Sequence, residues 1–119
     1  MNVLRIGHRG SKGYVAENTV ESINHAILLG VDGIEIDIFK CLSGELVLSH
    51  ENNLKGLTGK SGQLEKLTLA DLKEFLVVGK YKIPTLEDVL MKVEKPLFLN
   101  IELKGLDTAK ATSKIIADF

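Results

Sequence analysis

The stretch "GIEIDIF", residues 33–39, has the composition of a buried β-strand interrupted by two acids. Side chains on a strand alternate between its two faces, so the three isoleucines share one face while Glu35 and Asp37 share the other. The apolar face is suited to packing under helices. The two acids indicate that the other face of this strand carries functional groups.

Strand and helix patterns alternate along the rest of the chain. The predicted strands are residues 3–7, 33–39, 45–50 and 96–104. The predicted helices are residues 19–29, 68–76, 85–93 and a last one that begins at Asp107. This order indicates an α/β fold with a mainly parallel sheet.

Helix boundaries follow from capping residues. Asn18 with Glu21 has the spacing of a capping box for the first helix, and threonines with an aspartate three residues later begin the two helices after it. Val20, Ile23 and Ile27 form the predicted buried stripe of the first helix. His25 lies off that stripe and is expected to be solvated.

The segment "KCLSG", residues 40–44, is too short for a helical crossover and predicts a β-hairpin between the second and third strands. A turn centred on Ser43 and Gly44 pairs Leu42 with Glu45. Continued down the ladder, this register places His50 directly opposite Asp37.

The strand "PLFLNIELK" repeats the acidic pattern, with Glu102 and Lys104 on its polar face. If that face meets the acidic face of residues 33–39, Glu35, Asp37 and Glu102 converge and repel one another. A divalent cation relieves the repulsion, and carboxylate oxygens favour Mg²⁺ or Ca²⁺. An antiparallel sheet with one solvated face is the alternative, and its acids would point to water.

Other polar residues cluster at predicted strand ends. His8 and Arg9 follow the first strand, His50 ends the hairpin and Lys104 ends the last strand. Catalytic groups of α/β barrels collect at such positions. The polar, glycine-containing segment 51–67 is predicted to be a functional loop beside the hairpin.

Composition excludes several function classes. The 119 residues contain 15 basic and 16 acidic side chains, and a net charge of -1 offers no field for nucleic acid. No stretch approaches the ~20 apolar residues of a membrane span. A single cysteine, Cys41, excludes an internal disulfide, and together these features predict a cytoplasmic protein.

An ordered set of motifs resembles the glycerophosphodiester phosphodiesterase family over the whole chain. The motifs are "GHRG" (7–10), "ENT" (17–19), "GIEIDI" (33–38), "LVLSH" (46–50), "IPTLEDVL" (83–90) and "IELK" (101–104). The resemblance implies a TIM-type (β/α) barrel and hydrolysis of glycerophosphodiesters to glycerol 3-phosphate and an alcohol. These products place the expected activity in lipid and glycerol metabolism.

The resemblance also implies roles for individual residues. The metal ligands would be Glu35, Asp37 and Glu102; the acid/base pair His8 and His50; the phosphate contacts Arg9 and Lys104; and the supporting residues Glu17 and Asn18. We take His8 as base and His50 as acid. Direct attack by water and a cyclic phosphate formed by the substrate's own hydroxyl are both compatible with this set.

Two departures from the family pattern bear on function. Glu51 stands where the family usually has an aspartate, and a TIM barrel needs ~250 residues, so residues 1–119 are expected to form the N-terminal half of one, with about four strands. Three hypotheses follow: a truncated phosphodiesterase, a homo-oligomer whose half barrels close each other's open edges, or a non-catalytic module that binds a metal or phosphate head group. A sphingomyelinase D-like phospholipase is an alternative within the enzyme class.

Overall fold

The computed structural model describes residues 3–93 and 97–119. Its strands are β1 (Ile6–His8), β2 (Gly33–Lys40), β3 (Leu46–Leu48), β4 (Leu76–Val77), β5 (Tyr81–Lys82) and β6 (Phe98–Leu103). Its helices are α1 (Val20–Leu28), α2 (Lys55–Thr58), α3 (Leu69–Leu72), α4 (Leu86–Leu90) and α5 (Thr108–Ala117), with one 3₁₀ turn at Leu64–Lys66.

The main sheet is built around β2. β1 and β6 both run parallel to it, and β3 runs antiparallel. β6 pairs along most of β2, from Gly33 to Ile38, so β1 and β3 share the opposite edge. The parallel β1–β2–β6 core with intervening helices agrees with the predicted α/β class.

Each face of β2 contacts a different core. The isoleucine face packs against α1 and α4. These helices contribute the buried residues Ile23, Ala26, Leu86 and Val89 to this core. The other face is acidic at Glu35 and Asp37 but apolar from Phe39 onward. The sheet therefore separates a helix-covered core from a side on which acids and a second apolar cluster follow one another along the same strand.

That second cluster corrects the prediction of a polar loop at residues 51–67. Leu54 and Leu64 are fully buried against Phe39 and Val47, and Leu72 and Phe75 join them. Polar residues dominate the segment's composition, but Leu54, immediately before α2, and Leu64, in the 3₁₀ turn, both point inward. The predicted helix at 68–76 accordingly ends at Leu72, and its last residue enters β4.

The hairpin register differs from the prediction by one residue. Leu42, Ser43 and Gly44 form a three-residue loop closed by the Cys41 N–H to the Glu45 carbonyl (2.9 Å). Such loops favour glycine at a left-handed last position, and Gly44 has φ +100°. The extra loop residue places Ser49, not His50, beside Asp37, whose carbonyl accepts the Ser49 N–H (3.0 Å).

The start of α1 also differs from the prediction. Thr19 is the N-cap, its Oγ1 accepting the Ser22 N–H (3.0 Å), so Asn18 and Glu21 do not form the expected capping box. The buried face is Ser22, Ile23 and Ala26, while Ile27 is exposed. Small residues are buried because the β1–α1 loop packs closely on the helix at Gly7 and Gly10.

His25 is half-buried rather than solvated. Its Nδ1 lies 3.1 Å from Ser11 Oγ, and its ring lies 5.4 Å from that of Tyr14. A loop that folds back over the helix covers this ring, which the helical periodicity alone does not reveal.

The remaining ends show which signals are local. Thr68 with Asp71 and Thr85 with Asp88 both form capping boxes, as predicted. Asp107 is at the N-cap position of α5, but with φ +59° its side chain makes no capping bond, so its predicted role is wrong. The first strand begins at Ile6 rather than residue 3, and the start of the predicted strand 96–104 at Pro96 lies outside the described residues.

Candidate active site

The acids converge because the strands are parallel and in register. β1 pairs His8 with Glu35, and β6 pairs Asp37 with Glu102. Paired residues on neighbouring strands point to the same face. One ligand oxygen each from Glu35, Asp37 and Glu102 lies within 4.8 Å of the other two, which brings together the three predicted metal ligands.

Asp37 is the buried member of this cluster. It is 0% exposed, and its Oδ2 accepts Asn18 Nδ2 (3.1 Å) and lies 3.5 Å from Arg9 Nε. Its Oδ1 has no hydrogen-bond partner among the described residues. A buried carboxylate oxygen without a partner is costly, so this atom fits a site for a positive ligand.

Glu35 reports the electrostatic crowding. Burial, followed by the charge of Asp37, raises the pKa of Glu35 from 4.5 to about 7. Two neighbouring carboxylates in a partly desolvated site cannot both ionise at low cost unless a cation compensates them. The donor set, all carboxylate oxygens, suits a hard divalent cation such as Mg²⁺ or Ca²⁺.

Arg9 joins the acids from the β1–α1 loop. Its Nη1 contacts both oxygens of Glu17 (3.0 and 3.1 Å), and its Nε faces Asp37, while its side chain is only 12% exposed. The Arg9 backbone N–H donates to Glu35 Oε1 (3.3 Å). Arg9 and Asn18 both have positive φ, +52° and +54°, and both aim their side chains at Asp37.

The "GHRG" motif has a steric explanation. A Cβ on Gly7 would overlap the carbonyl oxygen of Gly10, and a Cβ on Gly10 would overlap Ser22 Oγ. Gly10 also has φ +86°. The two glycines let the loop fold tightly on α1, and this tight fold directs His8 and Arg9 to the acidic face.

The two histidines differ in their surroundings. His8 Nε2 lies 3.9 Å from Glu35 Oε1, and its side chain is 61% exposed. His50 Nδ1 contacts Glu51 Oε1 (2.9 Å), and its side chain is 31% exposed. His50 does not contact the three acids, but it follows Ser49, where β3 runs toward the end of β1 along one edge of β2.

Lys104 extends the polar face past the end of β6. Its Nζ lies 3.4 Å from Glu102 Oε1, and the Lys104 N–H donates to the Ile38 carbonyl (2.9 Å). The structure therefore gathers His8, Arg9 and Lys104 around the acids. Sequence reasoning missed the partnership of Glu51 with His50, although its position next to the histidine was the available signal.

Within the described residues, no helix combines the length and apolarity needed to cross a membrane.

The sequence matches the glycerophosphoryl diester phosphodiesterase family over residues 8–117, a range that includes all nine predicted site residues. The chain belongs to the glycerophosphoryl diester phosphodiesterase family.

Relatives and solved structures agree. A glycerophosphodiester phosphodiesterase of Caldanaerobacter subterraneus is 34% identical over 113 residues, which cover 88% of this chain and 46% of that protein. The crystal structure of a glycerophosphodiester phosphodiesterase from Thermotoga maritima superimposes with a TM-score of 0.89 at 33% identity, covering 99% of this chain and 51% of that one. An Oleispira antarctica phosphodiesterase, solved with its product sn-glycerol-3-phosphate, gives 0.86 at 29% identity, covering 97% and 52%.

The chain thus spans about half the length of the family members that it matches. Their fold is a TIM barrel, and the partial α/β sheet of this chain is consistent with half of one, which confirms the predicted fold class. The resemblance drawn from the motifs is also confirmed.

Proposed function

We propose that this chain carries the metal- and phosphate-binding part of a site that hydrolyses glycerophosphodiesters to glycerol 3-phosphate and an alcohol. One observation carries the proposal: oxygens of Glu35, Asp37 and Glu102 lie within 4.8 Å of one another. The buried Oδ1 of Asp37, which has no hydrogen-bond partner among the described residues, supports it. Family membership and the relative solved with sn-glycerol-3-phosphate support the substrate class.

The cofactor in this proposal is Mg²⁺ or Ca²⁺. Glu35, Asp37 and Glu102 would hold it, and Asn18 would orient Asp37 toward it. When bound, the cation supplies positive charge against the non-bridging oxygens of the phosphodiester. Both metals accept carboxylate oxygens, so the ligand types alone favour neither.

Cationic side chains bind the substrate anion. Arg9 has five N–H donors and directs Nη1 and Nε to carboxylates, which leaves donors on the same rigid plane for a phosphate. Lys104 holds its ammonium beside Glu102 at the edge of the cluster. Glu17 fixes the orientation of Arg9 before substrate arrives, which lowers the entropy lost on binding.

The histidines transfer protons. His8 is exposed beside Glu35 and acts as the base toward the attacking hydroxyl or water. His50 acts as the acid that protonates the leaving alcohol, and its Nδ1 contact with Glu51 leaves Nε2 for the substrate.

The proposal includes assembly. Among the described residues β1 and β6 each pair only with β2, so each has an unpaired edge. Full activity would require further strands at these edges, supplied by a second copy of the chain or by the remainder of a longer one. A cytoplasmic location is part of the same proposal.

The experiment measures release of sn-glycerol 3-phosphate from glycerophosphocholine and glycerophosphoethanolamine by the purified chain. It is run with Mg²⁺, with Ca²⁺ and with chelator, and cation binding is measured in parallel by calorimetry. His8→Ala is compared with His25→Ala, which removes a histidine away from the acids. Glu102→Gln is compared with Glu87→Gln on the exposed side of α4.

Chelator-sensitive release that His8→Ala abolishes and His25→Ala retains would support the full proposal. Cation binding that Glu102→Gln weakens, without release, would support the metal- and head-group-binding module instead. If the chain neither binds a cation nor releases product at any assembly state, the proposal is wrong.

A further inference from the structure

We infer that Ser22, on the buried face of α1, is a positioning residue that fixes the backbone of Arg9. Ser22 is 0% exposed. Its Oγ accepts the Ser11 N–H (2.6 Å) and donates its proton to the Arg9 carbonyl (3.1 Å). Because a backbone N–H can only donate, the single hydroxyl proton is available for Arg9.

Arg9 requires such support because its φ of +52° is one that L residues rarely adopt. Its carbonyl accepts the Asn18 N–H (2.8 Å) as well as the Ser22 hydroxyl, so both lone pairs are engaged. Its N–H donates to Glu35 Oε1. Ser22 thus provides the bond that ties this left-handed residue to a rigid helix.

The size of Ser22 matters as much as its hydroxyl. Gly10 is so close to the helix that an added Cβ would overlap both Oγ and Cβ of Ser22. A larger side chain at position 22 would push the loop outward, and alanine would leave the Ser11 N–H and one Arg9 lone pair unpaired. Position 22 therefore controls where the guanidinium lies relative to Asp37 and Glu17.

This inference rests on the proposed function in one respect: the role of Arg9 in contacting the substrate phosphate. The backbone effect itself can be measured without substrate. Ser22→Ala is compared with Ser11→Ala, since the Ser11 hydroxyl is also buried in the loop but donates to the Ser22 carbonyl (2.8 Å) and does not contact Arg9. The stability of both variants is measured first by thermal unfolding.

The first readout is the NMR one-bond Cα–Hα coupling and ¹³C shifts of Arg9, which distinguish positive from negative φ. The second is binding of sn-glycerol 3-phosphate by titration. We expect Ser22→Ala to lose the positive-φ signature of Arg9 and to bind sn-glycerol 3-phosphate roughly 10-fold more weakly. Ser11→Ala should keep both properties, even if its unfolding temperature falls.

A positive-φ signature that survives in Ser22→Ala, or that is lost equally in Ser11→Ala, would overturn the inference. If Ser22→Ala does not fold, Ser22→Cys replaces it; a thiol is a weak donor and its sulfur is larger than oxygen, so both the lost hydrogen bond and the tighter fit predict the same loss at Arg9. A wild-type chain that fails to bind sn-glycerol 3-phosphate would count against the proposed function alone, since the Arg9 readout would still decide the positioning role.

Discussion

Asn18 holds Asp37 at two points with one amide group. Its Nδ2 donates to Asp37 Oδ2 (3.1 Å), and its Oδ1 accepts the Asp37 backbone N–H (3.3 Å). Both residues are buried. The amide therefore fixes the carboxylate in one orientation, and Oδ1 has no hydrogen-bond partner among the described residues.

Two substitutions of Asn18 distinguish the contribution of its amide hydrogen bonds to Asp37 from that of its left-handed backbone conformation. Asn18→Gly removes the amide but tolerates φ +54°, and we expect a loss of about 1–3 kcal/mol in the free energy of unfolding. Asn18→Ala adds left-handed strain and should lose roughly 1 kcal/mol more. Urea unfolding of both variants measures the difference. Equal stability of Asn18→Gly and wild type would show that the hydrogen bonds from the Asn18 amide to Asp37 do not stabilise the fold.

The closely packed "GHRG" loop predicts a large asymmetry between two glycines. Gly7→Ala drives a Cβ into the Gly10 carbonyl, and we expect a loss of about 2–3 kcal/mol in the free energy of unfolding because backbone must move. Gly13→Ala is the matched control, since its Cβ meets nothing within 4 Å, and it should change stability by less than about 0.5 kcal/mol. Chemical denaturation tests the pair; similar losses in both would show that the loop is not tightly packed.

The raised pKa of Glu35 predicts an unusual pH dependence when chelator is present. The folded pKa of about 7 exceeds the ordinary 4.5, so the protonated form stabilises the fold below pH 4.5 and this contribution is lost as pH rises to about 7. Glu35→Gln imitates the protonated side chain. It should therefore be more stable than wild type at pH 8, by on the order of 1–3 kcal/mol, and nearly equal at pH 4.

Thermal unfolding from pH 4 to pH 8 checks this, with Glu87→Gln as the control that should follow wild type. Adding Mg²⁺ or Ca²⁺ at pH 8 should stabilise wild type more than Glu35→Gln, because only the carboxylate is a good ligand. Parallel pH curves for wild type and Glu35→Gln would show that the ionisation of Glu35 does not destabilise the fold.

Lys104 affects cation and anion binding in opposite directions. Its ammonium lies 3.4 Å from Glu102, so Lys104→Met removes a positive charge near the cluster. We expect cation affinity to rise roughly 2- to 5-fold at low salt, a modest change because Glu102 is 54% exposed and solvent screens the pair. Binding of sn-glycerol 3-phosphate should fall. Calorimetry with Lys110→Met, an exposed lysine on α5, as control would detect both changes, and a weaker cation site in Lys104→Met would refute the charge argument.

Patterns within a few residues predicted much of the site. Strand alternation at 33–39 and 96–104 placed Glu35, Asp37 and Glu102 on one face, and the structure brings their oxygens together. The capping boxes at Thr68 and Thr85 formed as expected, since their bonds span three residues. The ordered motifs alone indicate the family to which the chain belongs.

Longer-range choices were not visible in the sequence. The hairpin register depended on whether two or three residues formed the loop, and a one-residue change moved Ser49 to the side of Asp37. The second apolar cluster depends on the packing of Leu54 and Leu64 with Phe39, which is distant from them in the sequence. Asn18 had the spacing of a helix cap, yet its amide binds Asp37, 19 residues away.

The sequence by itself determined which residue types share a face, because that depends only on the two-residue period of a strand and on local capping bonds. The tertiary structure decided which partner each polar group has. Left-handed backbone at Arg9 and Asn18 turns both side chains onto Asp37, and such a conformation is stable only because long-range hydrogen bonds and close glycine packing compensate its strain.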